Sequence, residues 1–383
     1  MRVAVIGIGQ AGGRIADLFT YHSLYGMARD SFPVAIAINT AQADLSSLTA
    51  IPKEDRILIG VSEVRGHGVG LFREVAAAIA AESLPTIMRA LVRKHLEYVD
   101  AFCLIAGVGG GTGSGSVPVI ARKLKELYNQ PVYVIGALPT RDEGNFMFEN
   151  AAACITELYP IVDGILVFDN HLWRKEGQPI ELTYGFMNYE LVRPFPLLLA
   201  AGEASESLVG IKVVDASDII ATWRDLAFIG HWKIQGDALG RRSLLSFRKN
   251  GVERVSAALA CSTVIRNAAI KMSSDFDPQK AGYALMILAG RREYISMEGY
   301  SDARSWLQSY MPNAEIRGGD FPLDKAKELD AVLLVGGIRA IPRLRLELEE
   351  KNDGSTTKNQ KTVANRGSCV YQPRCSSPNA SSY

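Results

Sequence analysis

The chain alternates short, almost wholly apolar runs with longer stretches in which apolar residues recur every three or four positions. The runs Arg2 to Ile6, Val34 to Ile38, Arg56 to Ile59, Ala101 to Ile105, Val132 to Ala137 and Gly164 to Phe168 have strand length and predict six strands. Helical spacing lies between them. It passes through Ile15, Leu18, Phe19 and Tyr21, through Phe72, Val75, Ala76, Ile79, Ile87, Leu91 and Leu96, through Val117, Ile120, Ala121, Leu124, Leu127 and Tyr128, and over Phe146 to Tyr159. Strands alternating with helices predict an α/β fold with a doubly wound parallel sheet.

Glu181 to Ala201 keeps helical spacing but contains Arg193-Pro194-Phe195-Pro196, and two prolines predict a kinked or split central helix. Asp215 reads as the N-cap of a following helix, with Asp218 in its first turn. From Leu226 the texture changes. Strands are expected over Leu226 to Ile234, Tyr283 to Ala289, Ala314 to Arg317 and Ala331 to Val335, and helices over Val252 to Met272 and Asp302 to Tyr310, which together suggest a second α+β domain. After Leu348 the core formers stop, and Lys351 to Tyr383 carries five basic residues against one acidic, a composition expected of a disordered tail. The expected division is 1–180, a nucleotide-binding domain; 181–225, a central helix and loop; 226–348, the second domain; and 349–383, the basic tail.

The chemistry sits where strands end. Ala106 to Ser116 holds six glycines in eleven residues, between the fourth strand and a helix expected from Val117. Glycine permits positive φ and lets a ligand approach without meeting a Cβ. The helix behind it offers unpaired N–H groups and the positive end of its dipole. Gly109, Gly110, Gly111 and Gly113, with the hydroxyls of Thr112 and Ser114, therefore read as a phosphate loop. It is not G-x-x-x-x-G-K-[ST]: no lysine stands in the required place, so backbone amides are expected to hold the phosphate.

A second turn, Gly7-Ile8-Gly9-Gln10-Ala11-Gly12-Gly13 followed by Arg14, is a literal G-x-G-x-x-G between a strand and a helix. A dinucleotide fold also wants an acid at the end of the second strand. The residue there is Asn39, followed by Thr40. A third loop, Arg65 to Gly70, includes His67 and Gly68; Glu143 follows the fifth strand and Asn170 the sixth. Amides for phosphates, a carboxylate for ribose hydroxyls and an amide side chain for a base edge describe a nucleotide site at the carboxyl ends of the strands.

Composition narrows the partners. With 42 basic and 41 acidic residues, nothing points to nucleic acid or a membrane surface. The five cysteines show no C-x-x-C spacing, which suits a reducing compartment, and no His/Cys cluster has metal-ligand spacing. The N-terminus lacks the pattern of a leader, and no apolar run is expected to reach membrane-span length, so the protein is expected in the cytoplasm without membrane insertion.

Gly109-Gly110-Gly111-Thr112-Gly113-Ser114-Gly115 resembles the G-G-G-T-G-[ST]-G signature loop of the tubulin and FtsZ superfamily. Gly9-Gln10-Ala11-Gly12-Gly13 resembles its first phosphate loop, Asn39-Thr40-Ala41-Gln42 the second and Gly66-His67-Gly68-Val69-Gly70 the third. Glu143-Gly144 resembles the ribose-binding loop and Asn170 the guanine-binding loop. Tyr184 and Asn188 match the aromatic that stacks on guanine and the amide that reads its edge. Val214-Asp215-Ala216-Ser217-Asp218 matches the D-x-x-D loop that completes a neighbour's active site. The resemblance covers roughly residues 1 to 340 and lies nearest the archaeal CetZ group.

It implies a GTPase that binds GTP or GDP with Mg²⁺ and assembles head-to-tail with copies of itself into cytoskeletal filaments. Asp215 and Asp218 would be catalytic, and the filament would serve cell shape. Three departures stand out. Val213 occupies the place of an FtsZ loop asparagine, the stretch from Asn188 to Asp215 is longer than in FtsZ, and the tail lacks the short apolar-acidic end by which FtsZ recruits partners. Two alternatives stay open: an NAD-dependent oxidoreductase, resting on Gly7 to Gly12, and a nucleotide-binding structural protein without turnover, left open by Val213.

Overall fold

The computed structural model describes residues 1–25, 31–94, 96–175, 177–202, 212–236, 256–349 and 351. The tail expected from 349 therefore lies almost wholly outside the described residues. Ten strands form one sheet: β1 (Val3–Ile8), β2 (Val34–Asn39), β3 (Arg56–Leu58), β4 (Ala101–Gly107), β5 (Val132–Leu138), β6 (Gly164–Asp169), β7 (Asp225–Gln235), β8 (Tyr283–Gly290), β9 (Glu315–Pro322) and β10 (Glu328–Ile338). The order is β3-β2-β1-β4-β5-β6-β7-β10-β8-β9. From β3 to β7 every pairing is parallel, β10 runs antiparallel between β7 and β8, and β9 closes the edge parallel to β8. The strands of the second half thus extend the first sheet through β7, and 1–348 forms one compact unit.

The helices are α1 (Gly9–Tyr25), α2 (Gln42–Ser46), α3 (Val61–Val64), α4 (Arg73–Val92), α5 (Gly111–Leu127), α6 (Asn145–Leu158), α7 (Asn170–Trp173), α8 (Ile180–Val192), α9 (Phe195–Ala201), α10 (Ala216–Thr222), α11 (Ala257–Ile270) and α12 (Met297–Tyr310). Strands β1, β4 and β5 are apolar throughout because both sheet faces are covered. Along β1, Ala4, Ile6 and Ile8 enter one core with α4, α5, α6, α11 and α12, while Val3 and Val5 enter the other with α1, α8 and α9. Helix α4 has the length and apolarity of a membrane span, contrary to the expectation that no segment would. Ala76, Ile79, Ala80, Ile87 and Leu91 are buried in the first core, so one face of α4 packs against the body of the protein.

Several boundaries differ from the sequence expectation for physical reasons. Helix α5 begins at Gly111 rather than Val117, so Gly111, Gly113 and Gly115 are helical, and the left-handed φ expected of the run occurs elsewhere, at Gly9 and Gly68 among others. Close packing is what those positions require: a Cβ at Gly115 would lie 2.0 Å from the Arg73 carbonyl oxygen, and one at Gly113 would lie 2.5 Å from that of Gly107. Strand β9 runs on through Gly318 and Gly319, beyond the expected end at Arg317; their missing side chains admit Met286 and the Lys212 carbonyl. Helix α12 starts five residues early, because Ser296 caps it by accepting from Gly299 N. The start expected for α11 at Val252 lies outside the described residues. The two prolines do split the central helix, into α8 and α9.

Candidate functional site

The strand order reverses between β1 and β4, the switch point at which open α/β sheets leave a crevice beyond their carboxyl ends. A cavity of about 440 Å³ opens there. Helices α1 and α5 begin at its floor. Neither has an acidic residue in its first turn, and the N-cap of α5, Gly110, supplies no side-chain bond. Gly111 N already donates to Gly70 O at 3.2 Å, so the further first-turn amides, with the positive end of each helix, are what suits an anion here.

Of the expected residues, Gly9, Gln10, Ala11, Arg14, Asn39, Gly68, Gly109, Gly110, Gly111, Thr112, Gly113, Glu143, Asn170, Tyr184 and Asn188 all line this cavity. Gly12, Gly13 and Ser114 do not. A Cβ on Gly12 would lie 2.0 Å from the Ile105 carbonyl oxygen, so Gly12 seats α1 on β4, and Gly13 faces Leu48. Ser114 is fully buried and its hydroxyl donates to Gly110 O at 2.5 Å, fixing the loop instead of facing the cavity.

The phosphate end is organised by a residue that sequence reading missed. Asp44, on α2, accepts from Gln10 Nε2 at 2.9 Å and from Asn39 Nδ2 at 3.0 Å. Asn39 Oδ1 in turn accepts from the backbone N–H of Thr40 and Ala41, and the Thr40 and Thr112 hydroxyls bond at 2.8 Å. Three loops are thereby tied together around one carboxylate. A weak signal existed, since Asp44 stands five residues after the strand-ending Asn39, but the crossing to Gln10 is tertiary. The end of β2 is thus an amide engaged with a carboxylate, not the acid a dinucleotide fold needs.

At the other end, Glu143 closes a capping box with Thr140, whose hydroxyl lies 3.2 Å from Glu143 Oε2. Tyr184 donates its hydroxyl to Glu143 Oε1 at 2.9 Å. Burial, then the bond to Glu143, pushes the Tyr184 hydroxyl up to about 12, so it stays a donor at neutral pH. Asn170 opens α7 behind the N-cap Asp169, and Asp169 is paired with Arg343, which also donates to Pro139 O. Met147, Pro139 and His67 complete the wall.

Among the described residues, Arg14 is the one cationic side chain on the cavity wall, against Asp44 and Glu143. Phosphates there would meet backbone amides, hydroxyls and one carboxylate. Asp44 is the carboxylate that would hold a divalent cation there, and an oxygen donor of this kind is one Mg²⁺ accepts.

Asp215 and Asp218 are not in the cavity. Asp215 caps α10, accepting from Ser217 N at 2.8 Å and Asp218 N at 3.1 Å, and the Ser217 hydroxyl is first among the causes that hold its carboxyl below the usual range. Helix α10 leads into β7, whose first residue, Asp225, pairs with Gly164, the first residue of β6. Thr222, the last residue of α10, is three residues from Asp225, so α10 joins the sheet at the amino ends of β6 and β7, while the cavity lies beyond the carboxyl ends. β6 alone puts roughly 20 Å between those ends at about 3.3 Å per residue.

Known proteins resemble this chain over most of its length. Residues 2–177 match the Tubulin/FtsZ family GTPase domain, and 177–352 match the tubulin-like CetZ C-terminal domain. The tubulin-like protein CetZ3 of Haloferax volcanii is 38% identical over 354 residues, 90% of each chain. The solved GDP-bound monomer of CetZ1 from the same organism superposes with a TM-score of 0.78 at 34% identity, covering 90% of this chain and 96% of that one. The GTPγS-bound protofilament of CetZ2 gives 0.78 at 32%, covering 90% and 95%.

Proposed function

This chain belongs to the CetZ family of tubulin-like proteins within the tubulin/FtsZ superfamily, and from that premise we propose that it is a cytoplasmic GTPase that polymerises head-to-tail. The observation that carries the proposal is that the two aspartates lie off the wall of the cavity, on a helix that joins the sheet at the opposite ends of its strands. GTP lies in the cavity, its phosphates on the first turns of α1 and α5, its ribose at Glu143, and its base between Tyr184, Asn170 and Asn188. Asp44, through Gln10 and the Thr40–Thr112 hydroxyl pair, would hold Mg²⁺, which supplies charge neutralisation for the phosphates.

A carboxylate must come within hydrogen-bond reach of the attacking water, directly or through one more water. A subunit's own aspartates are not on the wall of its own cavity. The aspartates of a neighbour stacked on the cavity would reach it. That contact is heterologous, and repeated without closure it makes a filament. The neighbour's Asp215 and Asp218 then polarise water against the γ-phosphate, and the glycine loops hold the phosphate in line.

Hydrolysis by the full chain should rise more steeply than linearly with protein concentration. Asp215→Ala and Asp218→Ala should bind GTP normally, hydrolyse it at least ten-fold more slowly per polymerised subunit, and give longer-lived filaments in electron micrographs. If the aspartates only cap α10, the variants lose about 1 kcal/mol of stability and keep their turnover. Specific activity constant on dilution, with active aspartate variants, refutes the shared site.

A further inference from the structure

The loop that carries the two aspartates is held by strand β9. Lys212 N donates to Asp320 Oδ1 at 2.7 Å, and Asp320 N returns a bond to Lys212 O at 3.1 Å. Gly319 lacks the Cβ that would lie 2.7 Å from Val214 Cγ2, so the loop can lie flat on the strand. Two residues along the same strand, Arg317 reaches the aspartates. Its Nη1 donates to Asp218 Oδ1 at 3.1 Å and its Nε to Glu315 Oε1 at 2.9 Å. Asp218 Oδ2 accepts from Asp215 N at 3.2 Å. The Asp218 carboxylate is thereby gripped at both oxygens, by backbone on one side and by guanidinium on the other. Its own position on a short helix would fix only the first.

Arg317 also changes the charge of this face. Without it, Asp218 and Glu315 would lose the cation they pair with, and in the reading above what docks there is the triphosphate end of another copy's nucleotide. Arg317 places a delocalised, permanently charged group between Asp218 and Glu315. Its side chain is only about one-third exposed, at 31% of its free area, so its field is less screened than that of a free surface arginine.

We propose that Arg317 is a positioning residue for the hydrolytic step: it aims Asp218 at the neighbouring subunit's nucleotide and offsets the negative charge of the docking face. This rests on the reading that Asp218 acts across the subunit contact. The two roles separate by chemistry. Aiming needs the planar fork, whereas offsetting charge needs only a cation.

The test is the GTPase rate of the full chain against protein concentration, where the intercept is the critical concentration and the slope is turnover per polymerised subunit. Arg317→Lys should keep the critical concentration within about two-fold and cut the slope about ten-fold, the scale of a small misplacement of a reacting group. Arg317→Met, which keeps the apolar stem, should cut the slope and also raise the critical concentration several-fold. Both should bind GTP as monomers with unchanged affinity, since Arg317 is not on the cavity wall, and both should melt within a few degrees of the parent. A wild-type slope in Arg317→Lys overturns the aiming role. A loss of slope accompanied by loss of monomer GTP affinity or a collapse in melting temperature assigns the effect to folding and also overturns it. A parent protein with no concentration threshold refutes the shared site itself, an outcome distinct from either variant's behaviour.

Discussion

The bond from Tyr184 to Glu143 separates two things an aromatic residue can do for a nucleotide. The ring can stack on the base, and the hydroxyl can hold the carboxylate that meets the ribose. Tyr184→Phe removes only the second. Glu143 keeps its bonds from the backbone N–H and the hydroxyl of Thr140, so its carboxylate is not stranded. A hydrogen bond to an ionised group contributes about 1.5–3 kcal/mol when buried, and this one is half-buried, so about 1 kcal/mol is the expected loss, or roughly a five-fold weaker Kd for GTP. Tyr184→Ala also removes stacking worth about 1–3 kcal/mol, for a total loss of roughly 30-fold to 1,000-fold. The informative assay is calorimetric or fluorescence titration of the monomer with GTP and with its deoxyribose analogue. If Tyr184 aims Glu143 at the ribose, Tyr184→Phe narrows the gap between the two ligands, because the hydroxyl contact that distinguishes them is loosened. The profile should be flat from pH 7 to 9 as far as this group is concerned, since its hydroxyl titrates only near 12. Wild-type affinity for both nucleotides in Tyr184→Phe would refute the aiming role, and equal affinities of the Phe and Ala variants would refute stacking.

Two glycines of the signature loop should respond oppositely. A Cβ at Gly110 meets nothing closer than 3.9 Å in the protein, so Gly110→Ala should fold and lose nucleotide affinity, whereas Gly113→Ala, pressed against Gly107 O at 2.5 Å, should lose thermal stability before binding is measured. Arg343→Met leaves the buried Asp169 carboxylate unpaired and should cost about 3–5 kcal/mol in chemical denaturation. In alkali, burial first of all pushes the hydroxyls of Tyr133, Tyr159 and Tyr184 above their ordinary value. Above pH 10 the folded state then holds more protons than the unfolded chain, so this stability is complete below about pH 10 and falls as the pH rises through 12, which a pH series of melting temperatures will read.

Much of this protein is legible without its structure. The central strands are continuous apolar runs because both sheet faces are covered, and the loops after them are legible because close backbone approach needs a residue without a Cβ and positive φ favours glycine. The proline split of α8 from α9 and the cap at Asp215 are local effects, decided within a few residues, and the residues alone imply them. What tertiary structure decided is which neighbours each local feature meets. Gly12, Gly13, Ser114 and Gly115 look like the rest of the phosphate loops, yet they face β4, Leu48, the Gly110 carbonyl and α4 rather than a ligand, because a glycine's sequence signal is the same whether a ligand or another backbone approaches it. Asp44 and Arg317 carry no motif at all. One is placed by α2 against Gln10 and the other by an edge strand against Asp218, across 34 and 99 positions of chain. Those contacts depend on the order in which strands assemble into the sheet, and strand order is set by long-range packing, which local patterns of apolar and polar residues do not encode.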